Sequence, residues 1–285
     1  MTIGKNVKIS GRGIQNTVYK INKIELLRFI FSLMVVFCHA HVFLQGDDPL
    51  FKSGSLAVEF FFILSGFLMM QSIEKKMVVE VNVQYLGKET RNFILKKIKG
   101  VYPEALIAYV IGFLVVSYSS SLTIVEMVKK FMLTFYEIVF VNFFGLGSVG
   151  FQAVNYATWY ISSMLLCMVI LYPLIRKWPD VMLNIVIPMT MLFAFGYLFR
   201  NYPHPRTPGL WIGAIFKGNI RGWANLCAGI LSYYICKSIK KVRYNRLSRF
   251  FLTIIECGVY LFYIRYMYDQ KASSLDFFFS FILSI

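Results

Sequence analysis

The chain has 285 residues, of which 58% are hydrophobic and 15% charged, and its net charge is +16. Soluble domains hold about 45–50% apolar and about 25% charged residues, so this composition excludes an ordinary soluble protein and indicates a polytopic membrane protein. The basic residues cluster beside apolar blocks, which favours topogenic charge and anionic lipid over nucleic acid as the reason for the positive balance. The five cysteines lie singly and show no zinc spacing, so we expect no metal site.

Apolar blocks of about 20 residues predict the membrane spans, because that length crosses the hydrocarbon core as a helix. The seven predicted full spans are 24–44, 56–72, 101–119, 157–175, 181–199, 220–236 and 250–268. Block 277–285 is too short to cross, so we expect a chain that is truncated within an eighth span. The sequence therefore predicts an all-α, polytopic helical bundle, with a basic cytoplasmic tail at 1–23 and a membrane domain at 24–285.

The short block 131–144 has 14 residues and contains Glu137. Its topology follows from charge, because cytoplasmic loops carry an excess of lysine and arginine. Residues 1–23 are basic without any acid, which places the N-terminus in the cytoplasm. If 131–144 crossed, the basic cluster at 237–249 would lie outside, so we interpret the block as re-entrant or interfacial. This topology places loop 200–219, which has three basic residues, on the outer side, where the charge rule disfavours them.

The first predicted span carries Arg28 near one end and His39 near the other. Eleven residues correspond to about 1,100°, three turns plus roughly 20°, so the two side chains share a face about 16 Å apart, with Ser32 between them. Ionisable groups in a span are functional candidates by default. The alternative is that Arg28 reaches lipid headgroups and His39 satisfies a backbone carbonyl. His41 points about 200° away from His39 and is not expected to share this face.

Glu59 lies among phenylalanines in the second predicted span and needs a partner there. We expect His39 or Arg28 to supply it. A carboxylate beside His39 would fix the imidazole tautomer and raise its basicity, as a general base requires. The alternative is a purely structural ion pair. In the same span, Gly66 follows Ser65, and such small residues favour close helix packing.

The run "RNFILKKIKGVYPEA" precedes the third predicted span and carries Arg91, Lys96, Lys97 and Lys99. A cytoplasmic basic cluster at a helix entrance can bind phosphates, although ordinary topogenic charge explains it as well. Further along, Trp159 and Tyr160 lie at a predicted outer interface, where aromatic residues commonly anchor a helix.

Together these residues resemble the membrane-bound acyltransferase family 3, whose members O-acylate cell-surface carbohydrates. The first helix of the family has an acidic residue, then arginine or lysine, then histidine, as Glu25, Arg28 and His39 stand here. The second helix is matched by "LAVEFFFILSGFL", with Glu59 in the acidic place. Later segments are matched by "LKKIKGVYP", "TWYISSMLL" and "IRGWANLCAGILSYY", so the likeness covers most of 20–240.

The sequence departs from the family pattern in two ways. The two arginines that commonly precede the proline are Lys97 and Gly100 here, so one cation is missing. Members usually have ten spans, whereas this chain ends in about the eighth.

The resemblance implies a membrane O-acyltransferase that uses acyl-CoA, most simply acetyl-CoA, as donor and an envelope carbohydrate as acceptor. Arg28, Lys97, Lys99 and Arg91 would hold the phosphates of the donor, and Trp159 and Tyr160 would contact the acceptor. Oriented by Glu59, His39 would deprotonate a sugar hydroxyl or carry the acyl group itself. No nucleic acid or bound cofactor is implied. A transporter or flippase of a polar substrate, or an inactive scaffold, stays open as an alternative.

Overall fold

A computed structural model describes residues 11–44, 50–77, 83–142, 153–155, 157–204, 211–239, 245–269 and 276, with side chains for all of these except 11–22, 40–44 and 83. The helices are α1 (Gly11–Leu44), α2 (Ala57–Met77), α3 (Val83–Ser119), α4 (Ile124–Ile138), α5 (Thr158–Lys177), α6 (Pro179–Val181), α7 (Ile187–Asn201), α8 (Lys217–Ile239) and α9 (Arg246–Asp269). A 3₁₀ turn at Gly54–Leu56 leads into α2, and a π-helical turn at Met182–Val186 joins α6 to α7.

Five segments among the described residues are helical, long and apolar enough to cross a membrane. They are Gly54–Met77, Gln84–Ser119, Thr158–Lys177, Pro179–Asn201 and Arg246–Asp269. Each overlaps one predicted span, although Gln84–Ser119 begins 17 residues before the predicted span 101–119. The predicted spans 24–44 and 220–236 lie within α1 and α8, and their crossing stays a prediction, as does that of 277–285, which lies outside the described residues. The chain is a multi-pass membrane protein built from α-helices.

Two helices extend beyond the bounds of their predicted spans. The basic run before Pro103 is helical, because α3 begins at Val83 and continues through that proline to Ser119. A proline within a helix removes one hydrogen bond, a loss that spanning helices tolerate. Helix α1 likewise begins at Gly11, within the predicted N-terminal tail.

One small β element accompanies the helices of the all-α architecture. Strands β1 (Trp211–Ile212) and β2 (Ile215–Phe216) form an antiparallel hairpin directly before α8. Its turn contains Gly213, whose φ of 57° lies in the left-handed region that glycine adopts without strain.

Helix α4 has 15 residues, which correspond to about 22 Å and fall short of the roughly 30 Å hydrocarbon core. It begins at a capping box, in which the Thr123 hydroxyl accepts from the backbone of Glu126 and the Glu126 carboxylate accepts from the backbone of Thr123. These hydrogen bonds lower the pKa of Glu126. The length is compatible with the predicted interfacial or re-entrant segment, although residues 143–144 lie outside the described part.

The chain divides into two compact units. The first comprises Met1–Ala57 and Ile264–Lys271, and the second comprises Val58–Tyr263 and Ala272–Ile285. In the first unit, α1 buries Phe31, Met34 and Cys38 on one face, and the backbone N–H of Ser53 donates to the carbonyl of Met267 at 2.9 Å.

In the second unit, α8 packs against α5 and α7, and its residues 224–230 are all buried. Two glycines allow α2 to approach it closely. A Cβ on Gly66 would overlap the carbonyl of Leu226, and one on Gly229 would overlap the carbonyl of Ile63. The expected close packing at Gly66 is therefore present, with α8 as the partner helix.

We expect Gly66→Ala to destabilise the folded protein by about 1–3 kcal/mol, because the added methyl group meets backbone that has no room to move. Thermal unfolding of the purified protein in detergent measures the effect. Gly196→Ala is the matched control, since a Cβ there meets nothing within 4 Å. It should stabilise α7 by about 0.5–1 kcal/mol. Equal melting temperatures for the two variants would contradict the close contact.

Candidate active site

The residues predicted to share one face of the first span lie on a single helix, α1. The helix is unbroken from Gly11 to Leu44, and Arg28, Ser32 and His39 are all exposed on it. The Arg28 guanidinium donates to the Glu25 carboxylate at 2.9 Å, one turn away on the same helix. The side chain of His41 lies outside the described residues. The first unit therefore offers an exposed histidine and an exposed cation on one helix.

Glu59 is 1% exposed and accepts hydrogen bonds from two residues of α8. The Arg221 Nε–H donates to one carboxylate oxygen, and the amide nitrogen of Asn225 donates to the other. All three side chains are buried in the second unit, and the Asn225 amide also donates to the Arg221 carbonyl at 2.9 Å. An ionised carboxylate in an apolar interior needs hydrogen bonds to its oxygens, and both oxygens of Glu59 accept one.

Helical periodicity explains how α8 builds this site. Lys217, Arg221 and Asn225 follow one another at four-residue intervals and so occupy one face. Lys217 is also fully buried, with its Nζ 3.9 Å from the centre of the Tyr202 ring and 3.4 Å from the His204 carbonyl oxygen. One helical face thus brings two cations and an amide into the core.

The sequence did not indicate these partners of Glu59. His39 and Arg28 lie on the preceding helix in the chain and are therefore the partners that proximity predicts, whereas Arg221 is 162 positions away. The signal that could have found Arg221 was "IRGWANLCAGILSYY", since a buried arginine in an apolar helix needs an acid. A pairing of Glu59 with His39 joins the two units and stays a prediction.

Trp159 and Tyr160, predicted to contact the acceptor, begin α5. Trp159 is 7% exposed and lies under the Arg221 guanidinium, 5.4 Å from the ring centre. Tyr160 is half-buried and packs edge-on against Phe62 at 5.0 Å. Trp159 therefore connects α5 to the cluster formed by Glu59, Arg221 and Asn225. Its contact with an acceptor stays a prediction.

The basic residues proposed for the donor lie along the first half of α3. Arg91 and Lys99 are exposed, and the half-buried Lys97 places its Nζ 5.6 Å from the centre of the Phe93 ring. A Cβ on Gly100 would meet nothing within 4 Å, so the position that lacks the family's arginine has room for a side chain. These cations lie along one continuous helix, with Arg91 also lining an apolar groove against α5.

A second buried network, which the sequence did not indicate, joins α2, α3 and α5. Arg176, 4% exposed, pairs with Glu89 at 3.2 Å and donates to the Lys76 carbonyl at 3.0 Å. The Tyr172 hydroxyl donates to the same carboxylate at 2.6 Å. These groups bond to one another rather than to a ligand, so the network holds the three helices together.

Helix α4 is tied to the start of α5 by a further set of hydrogen bonds. The buried Glu137 carboxylate accepts from the backbone N–H groups of Val154 at 2.9 Å and Asn155 at 2.6 Å. Asn142 bonds Thr158 and Ser162 at 3.0 and 2.9 Å. Glu137 thus anchors the segment before α5. Within the part of the chain that the structure describes, no cluster of histidine, cysteine and acidic residues could hold a metal ion.

A family model described as "Acyltransferase domain" matches residues 21–285. It spans both units and includes α1, the Glu59 cluster and the basic half of α3. No curated protein and no solved structure gave a match.

Proposed function

Since the chain belongs to acyltransferase family 3, as the resemblance indicated, we propose that it O-acetylates a cell-surface carbohydrate with acetyl-CoA as donor. Family membership makes it an enzyme that transfers acyl groups, which disfavours both the transporter and the inactive scaffold. The finer assignments of donor, acceptor and catalytic histidine are our proposal. So are its location in the cell membrane and its cytoplasmic N-terminus.

The observation that carries the proposal is the single unbroken helix bearing both Arg28 and His39. Eleven residues of α-helix separate them by about 16 Å, which is comparable to the length of a pantetheine arm. A cation at one end can hold a phosphate of CoA while the thioester reaches the imidazole at the other. Both side chains are exposed and therefore accessible to a substrate.

The transfer itself needs few groups. The acceptor hydroxyl attacks the thioester carbonyl, the C–O bond forms and the C–S bond breaks. His39 takes the hydroxyl proton and returns it to the departing CoA thiolate. Alternatively, the imidazole first carries the acetyl group as a covalent intermediate. Glu59 would orient His39 in either route, while its own charge is balanced by Arg221.

Donor binding is assigned to the cations of α3 together with Arg28. Charge-assisted hydrogen bonds to phosphate are short and roughly twice as strong as neutral ones, so few cations suffice. Arg91, Lys97 and Lys99 lie on the helix whose N-terminal half is predicted to face the cytoplasm, where acetyl-CoA is made available.

We expect Lys97→Ala to raise the KM for acetyl-CoA about tenfold with little change in kcat, because a phosphate contact contributes equally to the ground and transition states. Steady-state kinetics of the purified protein measure both constants. Lys129→Ala, which removes an exposed lysine from α4, should leave KM unchanged. A lowered kcat at constant KM would remove Lys97 from donor binding.

Mass spectrometry of surface carbohydrate tests the proposed function directly. Cells with the intact gene should carry O-acetyl groups that cells without it lack, and the gene with His39→Ala should not restore them. Acetylation that is independent of the gene would overturn the proposal.

A further inference from the structure

A cavity of about 560 Å³ lies within the second unit, between α5, α7, the β-hairpin and α8. Its walls are almost entirely apolar. Helix α5 contributes Cys167 and Ile170, α7 contributes Ala194, and the hairpin contributes Trp211 and Ile215. This volume falls within the range of about 300–1,000 Å³ that is typical of small-molecule sites. Nothing in the acyl-transfer scheme uses it.

The cavity lies beside two segments that are long and apolar enough to span a membrane. Cys167 is the tenth of the 20 residues of Thr158–Lys177, and Ala194 is the sixteenth of the 23 residues of Pro179–Asn201. At that depth the surrounding medium is hydrocarbon, and an apolar cavity offers water too few polar partners to hold it. A hydrocarbon chain is therefore the occupant that both the walls and the surroundings favour.

The wall of the cavity also contains a polar side chain. Asn219, in the first turn of α8, lines it, and its side-chain oxygen accepts from Ser163 at 2.8 Å. Among the hydrogen bonds that the structure describes, the amide nitrogen of Asn219 donates to no protein group. It is thus available to the ester carbonyl of a lipid. Trp223 also lines the cavity, and its indole N–H is satisfied by Thr190 at 3.1 Å, which leaves the ring for apolar contact.

We propose that this cavity binds one acyl chain of a membrane phospholipid, with the ester group beside Asn219 and the chain lying along the apolar walls that α5 and α7 provide. The hairpin covers the mouth, where Trp211 is partly exposed at 41%. Aromatic residues favour this level of a bilayer, between headgroups and chains.

Photo-crosslinking of the full chain in detergent tests the site. The probe is phosphatidylglycerol with a diazirine in one palmitoyl chain, and adducts are located by mass spectrometry of peptides. Adducts should form on the residues lining the cavity and be displaced by unlabelled phosphatidylglycerol. Ala194→Phe fills the cavity and should lower their yield about tenfold, which is a loss of about 1.4 kcal/mol in binding.

Ala108→Phe is the matched control, because Ala108 is exposed on α3, away from the cavity, and should leave the yield unchanged. Ala214→Trp blocks the mouth from the exposed hairpin turn, where folding is least disturbed, and should also lower the yield. Undiminished labelling in both cavity variants would overturn the site. Labelling of the cavity by diazirine-palmitoyl-CoA but not by the phospholipid would overturn the assignment to membrane lipid.

Discussion

His39→Ala is expected to abolish acyl transfer while leaving expression and membrane insertion intact. A general base contributes about 10²–10⁴-fold to a rate, and loss of a covalent acyl carrier would remove the activity altogether. The side chain is exposed on α1, so its truncation leaves no cavity in the core. Transfer of radiolabelled acetate from acetyl-CoA to carbohydrate, measured on purified protein of verified melting temperature, gives the result.

His41→Ala is the control for this prediction. It removes an imidazole two positions away on the same helix, and its predicted direction is about 200° from that of His39. We expect it to retain activity. Full acetylation by His39→Ala would remove His39 from catalysis, and equal losses in the two variants would point to a structural effect on α1.

Glu59→Ala is expected to destabilise the protein by about 3–5 kcal/mol, because it leaves Arg221 charged and buried without its acid. Arg221 and Asn225 are each 1% exposed, so water cannot replace the missing carboxylate. The folded fraction after detergent extraction and the melting temperature should both fall.

Glu25→Ala is the matched control, because it removes the acid of an exposed ion pair, that between Glu25 and Arg28. The side chains of Glu25 and Arg28 are 58% and 48% exposed, so that pair contributes only about 0–1 kcal/mol. Similar melting temperatures for Glu59→Ala and Glu25→Ala would contradict the burial of the Glu59 cluster.

Glu59→Gln separates a positioning role from a structural one. It keeps the volume and the hydrogen-bonding oxygen while removing the charge. If Glu59 acts on His39, Glu59→Gln lowers kcat at a temperature at which the variant is fully folded. A purely structural carboxylate would lower stability and leave the kcat of the folded protein unchanged.

Local patterns predicted most of the helical architecture. Runs of apolar residues located the five helices capable of spanning, and block 131–144 overlaps the short helix α4 over residues 131–138. The small residue Gly66 marked a close helix contact. These features depend on neighbours along the chain, which is the information that periodicity carries.

Partners across the bundle could not be predicted in the same way. Glu59 needs a cation, but nothing local to Glu59 selects Arg221, 162 positions away, over the nearer Arg28. The same holds for Glu89 with Arg176, and for Glu137 with the backbone of Val154. The hairpin at 211–216 escaped prediction because its strands have only two residues each, too few to show alternation.

The polar face of α8 constrains how the protein is made. Arginine and lysine oppose insertion by the translocon, by about 2.5–3.5 kcal/mol each at a helix centre. Lys217 and Arg221 lie in the first two turns of α8, where the cost is smaller but still disfavours entry of this helix into lipid by itself. Helix α8 is not one of the five described segments whose length and composition allow them to span a membrane. Its acid, Glu59, and its packing helices α5 and α7 are all synthesised earlier. We therefore expect α8 to enter the membrane together with helices that are synthesised before it, because Glu59 of α2 neutralises the charge of Arg221.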